Sequence, residues 1–314
     1  MRKLFFYSLF SILFSLLFST TVFGMEPLTS NPREVLNYPV ERWRDSRYEV
    51  FSWDDFPEIL IFDTSTYAVQ DDLFKRLAFF VEKAGYQGRL MTDAQLVGLH
   101  GWNAHDYSAD SLANFFDAVR RTNFPITREE RELLNILLGA GILRRNSFSE
   151  IVPGRGAVIS LSRESDRVNR TLRPRFMAHE AFHALFFIDD DFRNFCRQRW
   201  DMFPDFARSV LLAYFEIQAY DLDDEFLMVK EFKGHILQQS VAGASWFFGE
   251  FLPNRLLSES PRFRAVLPAR EELTREGGRF WPDLARVFTA EAEAFSNYVN
   301  RRWGFAAGRP WRQL

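Results

Sequence analysis

His179 and His183 stand four residues apart in the run Phe176-Met177-Ala178-His179-Glu180-Ala181-Phe182-His183-Ala184-Leu185-Phe186-Phe187, whose apolar character predicts a helix. Residues four apart on a helix lie one turn above each other on the same face. Both imidazoles can therefore reach one metal ion, while Glu180 projects beside the open coordination position. Two ligands and a carboxylate able to take a proton from metal-held water make a hydrolytic centre. A helix built only for packing has no use for a His-Glu-His cluster, because each polar group removed from water needs a partner, and a metal serves both rings at once. The chain holds 5 histidines in all, His100, His105, His179, His183 and His235, so abundance does not account for the pair.

A catalytic ion of this kind takes three protein ligands and a water, and the sequence offers several candidates for the third. In one large group of proteins that this pentad resembles, the third ligand follows as H-E-x-x-H-x-x-G-x-x-H or with Asp last, and Asp189 stands in that final place. Phe186, however, occupies the position where a glycine would have to end the helix. On an uninterrupted helix Asp189 lies about 600° round the axis from His183 and faces away, and Asp190 lies roughly 10 Å along it. A later helix could supply a glutamate instead, either Glu216 in Phe215-Glu216-Ile217-Gln218-Ala219 or Glu231 in Lys230-Glu231-Phe232-Lys233-Gly234-His235. Each has a small residue three positions on, which would let its helix approach closely. Glu231 is the better placed, because Glu231, Gly234, His235 and Gln238 form a polar stripe on a helix otherwise carrying Phe226, Val229, Phe232 and Ile236. His235 reads either as a donor to a developing oxyanion or as a supporting or surface histidine. The spacing of His100 and His105 is not that of helical ligands, and their glycine and aromatic neighbours suggest a packed loop.

The pentad, with a glutamate from a later helix, resembles the HExxH zinc metallopeptidases (zincins) of the glutamate-completed, gluzincin-like type. The resemblance covers Phe176 to Phe187 and extends to Glu231. It implies Zn²⁺ held by His179, His183 and Glu231, with Glu180 as general base in the hydrolysis of a peptide or protein substrate. It also implies an α+β, predominantly helical, two-lobed architecture with the pentad helix on the cleft floor. The alternative from another class is a non-catalytic secreted binding or structural protein with a vestigial or structural zinc site. A third reading keeps the metal and hydrolyses a non-protein amide such as a cell-wall cross-link.

The elements that must position these residues are partly legible. Arg2-Lys3, the apolar stretch from Leu4 and the small residues up to Gly24 read as a signal peptide over residues 1–24. Cleavage near Gly24 would leave a secreted or periplasmic protein, and an uncleaved anchor is the other reading. No later segment reaches ~18 uninterrupted apolar residues, so no membrane span is expected after cleavage. With 39 basic and 42 acidic residues and no basic stripe, no nucleic-acid partner is expected. The single cysteine, Cys196, excludes an intramolecular disulfide, and 35 Phe and 8 Trp must supply the core.

Residues 25–175 read as a mixed α/β lobe and 176–314 as a helical lobe carrying the zinc site. In the first, Glu58 to Phe62 reads as a strand and Gln70 to Lys83 and Ala109 to Arg121 as helices. The capping box Thr127 and Glu130 starts a third helix. Glycines 154 and 156 precede a strand from Val158 to Ser162, read either as an edge for extended substrate main chain or as an ordinary half-buried strand. In the second lobe, helices are expected over Phe206 to Tyr220, from an Asp223 or Asp224 cap toward Ala242, and over Ala285 to Trp303.

Overall fold

The computed structural model describes residues 25–164, 170–275 and 277–312, so the expected signal peptide lies outside the described residues. Seven strands precede the pentad helix: β1 (Leu28–Ser30), β2 (Tyr48–Trp53), β3 (Phe56–Thr64), β4 (Ala104–Ser108), β5 (Leu143–Arg145), β6 (Ile151–Pro153) and β7 (Ala157–Ser162). β3 carries Ile59, Leu60, Ile61 and Phe62 in succession, all buried. A strand apolar on both faces must be covered on both faces. It accordingly lies at the centre of a mixed sheet of order β1-β2-β3-β7-β4. The fold is α+β.

One face of the sheet, with Val50, Leu60, Phe62, Tyr107 and Val158, packs on helices α2 (Tyr67–Val81), α3 (Ala109–Thr122) and α4 (Arg128–Gly139), which follow a short α1 (Pro32–Asn37). The opposite face, with Phe51, Trp53, Ile59, Ile61, Ile159 and Leu161, packs on α5 (Leu172–Ile188) and the helices after it. These are α6 (Asp190–Asp201), α7 (Asp205–Ile217), α8 (Glu225–Leu237), α9 (Val241–Trp246), α10 (Leu252–Glu259) and α11 (Pro282–Trp303). The capping box is present, with Thr127 and Glu130 each bonding the other's backbone N–H. Asp224 caps α8 by accepting from Leu227 N at 3.0 Å. Among the described residues, no helix is long and apolar enough to cross a membrane.

Two expectations are corrected. β7 is not an edge: it pairs in parallel with β3 and antiparallel with β4, and every one of its residues is buried. The free edge beside the pentad helix belongs to β4, with Ala104 opposite Leu161 and Asp106 opposite Ile159. His105 lies in that strand rather than in a packed loop. Its ring sits between Phe74 and Tyr107, and its Nδ1 lies 2.9 Å from Ser160 Oγ.

The start of α5 is pinned to the sheet through a buried charge. Arg173, 1% exposed in the first turn, donates to Asp63 Oδ2 on β3 at 2.9 Å and to Leu36 O at 2.8 Å. Arg163 donates to the same carboxylate oxygen and to Tyr38 O. Replacing Asp63 by Ala would remove a carboxylate that two guanidiniums share, and breaking a buried pair on one side costs about 3–5 kcal/mol. Denaturant unfolding of Asp63→Ala should show a loss of that size. A change below about 1 kcal/mol would mean that this pair does not anchor the helix.

Candidate metal centre

On α5 the rings of His179 and His183 meet edge to face one turn apart, with centroids 4.4 Å apart and planes at 77°. A third donor must come from a helix lying almost in contact with those rings, and α8 does so because of Gly234. A Cβ on Gly234 would lie 2.7 Å from His183 Nε2 and 2.8 Å from His179 Cε1. No real side chain fits there. One turn earlier, Glu231 reaches between the rings. Its Oε2 is 3.4 Å from His179 Nε2 and its Oε1 is 3.6 Å from His183 Nε2. One donor atom from each of the three residues falls within 4.8 Å of the others.

All three residues are buried, as is Glu180. Glu180 Oε2, His183 Nε2 and Glu231 Oε2 are shut away from solvent without a hydrogen-bond partner among the described residues. Buried polar atoms are almost always satisfied, so the orphaned His183 Nε2 and Glu231 Oε2, on two of the three residues whose donors gather, fit a cation. Two imidazoles and one carboxylate are a donor set suited to zinc, with room for water or substrate as fourth ligand. Burial holds the His183 imidazole well below its usual range, helped by Lys233 and His179, and neutral imidazole is the form that binds a metal.

The surroundings of the three candidate ligands are highly charged. Lys230 Nζ lies 2.8 Å from Asp106 Oδ2, 3.7 Å from Glu82 Oε2 and 3.4 Å from Glu231 Oε1. Burial opposes ionisation of Glu231, but Lys230 and His179 outweigh it and hold the carboxyl below its ordinary range. Glu180 moves the other way, raised by burial and by Asp106 and Glu231. Glu82, at the end of α2, is pushed up to about 8, chiefly by burial. Lys233 Nζ lies 2.6 Å from His183 Nδ1, where a metal-bound histidine usually finds a carboxylate or carbonyl, and burial lowers this lysine to about 7. A neutral amine can accept from Nδ1–H, so the contact is compatible with His183 binding through Nε2.

His235 is buried beside this group, its ring 4.9 Å from that of His179, and burial lowers it to about 3. Gln238 Nε2 donates to His235 Nδ1 at 2.9 Å, which leaves the ring hydrogen on Nε2, 3.9 Å from Glu231 Oε2. A cavity of about 300 Å³ opens onto His179, Glu180, Glu231 and His235.

The other candidate ligands lie elsewhere. Glu216 is on α7, exposed, and paired with Arg262. Asp189 ends α5 and caps α6 by accepting from Phe192 N at 2.8 Å, while its other oxygen takes Arg302. Asp190 is exposed and pairs with Arg193. His100 bonds Asn103 and takes no part. Glu82, Asp106, Lys230 and Lys233 were not singled out from the sequence. The only signal for the lysines was their place in a helix whose apolar residues leave no solvated face.

Compared with protein-family models, curated proteins and solved structures, the chain matches none. The case for its chemistry rests on this geometry.

Two expected outcomes follow for metal binding. Gly234→Ala should keep its helical circular dichroism and lose zinc affinity by about 10–100-fold, the usual cost of disturbing the support of a metal site. Equal affinity by competition with a chromophoric chelator would contradict the close approach. Glu231→Ala should weaken zinc by more than about 100-fold, whereas Glu216→Ala should leave it unchanged. The reverse pattern would place the third ligand on the wrong helix.

Proposed function

We propose that the protein is a secreted or periplasmic zinc-dependent metallopeptidase of the glutamate-completed HExxH type. The observation that carries this reading is the convergence of His179, His183 and Glu231 on one point, with Glu180 beside it and a cavity leading in. These three residues would hold the ion, which when bound polarises a scissile carbonyl and lowers the pKa of water.

The remaining roles belong to the chain. Glu180 takes the proton of the attacking water and delivers it to the leaving amine. Its burial excludes competing solvent and raises its affinity for the proton it takes, which it then holds until delivery. Lys230, bound to Asp106, keeps Glu231 ionised and fixed. His235, with its hydrogen on Nε2, is a donor for the oxyanion that develops on the substrate carbonyl. The free edge of β4 offers main-chain hydrogen bonds to an extended peptide. In this reading the cleft runs between the sheet edge and the C-terminal helices, with α5 along its floor as in a two-lobed zincin.

Protein purified without chelator should contain about one zinc per chain. Glu180→Gln should retain that zinc and lose at least about 10²-fold in hydrolysis of a peptide library, because only the proton acceptor is removed. A Glu180→Gln variant as active as the parent, or a zinc-loaded parent inert toward peptides, would overturn the peptidase reading.

A further inference from the structure

Arg175 lies one turn before His179 on α5 and lines the same cavity. It is half-buried, and its guanidinium rests over the Phe247 ring at 5.7 Å. Among the described residues it has no carboxylate or carbonyl partner. That sets it apart from the arginines of comparable or greater burial. Arg76 pairs with Glu130 at 3.0 Å, Arg173 with Asp63, Arg199 with Glu291, and Arg208 holds three backbone carbonyls. A guanidinium withdrawn from water without an anion is costly, and burial works against its charge. Tyr214, with which it interacts electrostatically, is a neutral polar group of the same cavity, while the buried carboxylates Glu82 and Asp106 gather about Lys230.

We infer that Arg175 binds a carboxylate of the substrate. The inference rests on the hydrolase reading for its setting. Side chains one helical turn apart are about 5–6 Å apart at Cβ, and a peptide residue spans ~3.3–3.6 Å. Arg175 being one turn from His179 on the same cavity wall, the carboxylate sits within a few residues of the scissile carbonyl. A free chain end at that distance makes the centre a peptidase acting near the C-terminus. An acidic side chain at the same distance makes it selective for that residue.

Binding can be read without turnover in the zinc-loaded Glu180→Gln protein, by calorimetry with three ligands. These are an N-acylated dipeptide with a free C-terminus, its C-terminal amide, and an amidated dipeptide bearing a glutamate side chain. A charge-assisted bidentate contact should favour the carboxylate-bearing ligand on the order of 10–100-fold over the neutral amide. Preference for the free acid identifies a chain end, and preference for the glutamyl amide identifies a side chain. Either supports the inference, provided that Arg175→Gln erases the preference at unchanged zinc content and Arg175→Lys restores part of it. Equal binding of all three ligands to the Arg175 protein, or a preference that survives Arg175→Gln, overturns it. An Arg175-dependent preference in a protein that hydrolyses nothing would defeat the peptidase reading alone. An active parent indifferent to the carboxylate would defeat this inference alone.

Discussion

Glu82, Asp106, Glu180 and Glu231 meet at the bottom of one cavity, each less than a tenth exposed. They arrive from four different elements, the end of α2, the edge strand β4, α5 and α8. Taking several carboxylates out of water together is among the most unfavourable things a fold can do, and their mutual repulsion adds to the desolvation. Lys230 answers part of this by touching Asp106, Glu82 and Glu231 at once. One cation does not balance four anions. A dication between His179, His183 and Glu231 would offset most of the remainder, and a raised pKa on Glu82 and Glu180 absorbs more. With those cations in place the charge cluster would tie the sheet to the C-terminal helices. On this view metal binding and the docking of α8 are linked.

The second constraint is distance. α8 is buried from Leu227 to Leu237, with Lys230, Glu231, Lys233 and His235 inside that span. Its apolar side is clamped by aromatic rings, with Phe232 against Trp200, Phe203 and Phe295. Close packing of this kind fixes the helix to fractions of an ångström. Gly234 then lets its backbone sit against the two imidazoles. Glu231 is thus aimed by packing on one side and by the absence of a side chain on the other.

This explains which parts were legible in the sequence. The pentad was, because an i,i+4 relation is fixed by helix geometry alone. Helix limits marked by caps, such as Thr127 with Glu130 and Asp224, were also close. Glu231 could be preferred over Glu216 through the residue three positions on. Gly234 is inside α8, whereas Ala219 lies beyond the end of α7 with φ of 60° and so cannot ease a helix contact. β4 was missed because Ala104 to Ser108 sends His105 and Tyr107 to one face and Asp106 to the other, a pattern without the apolar alternation that betrays a strand. Asp106 and Glu82 reach the site through the order β7-β4 and the end of α2, neither of which local spacing encodes. Lys233, fully buried, runs against the expectation that lysine stays in water.

The candidate ligands and part of the cavity wall come from different kinds of structure. His179, His183 and Glu231 stand on two long helices embedded in the main core. Trp102 and Tyr220, stacked at 5.1 Å, come from loops, and Phe247 and Phe251 from a π-helical turn. Such turns insert an extra residue into a helix and are common beside functional sites. Here the turn is held by Gly249, whose carbonyl accepts from Trp281 N at 2.7 Å and which has no room for a Cβ beside Ala285 and Phe280. Phe247 is thereby held under the Arg175 guanidinium, with its own ring part of the core that α5 and α8 share. The division has a consequence for how the protein can vary. Changes at Trp102, Tyr220 or Phe251 would alter what enters the cavity and how it is oriented, whereas a change at Phe247 would also reach the core behind His179 and Glu231.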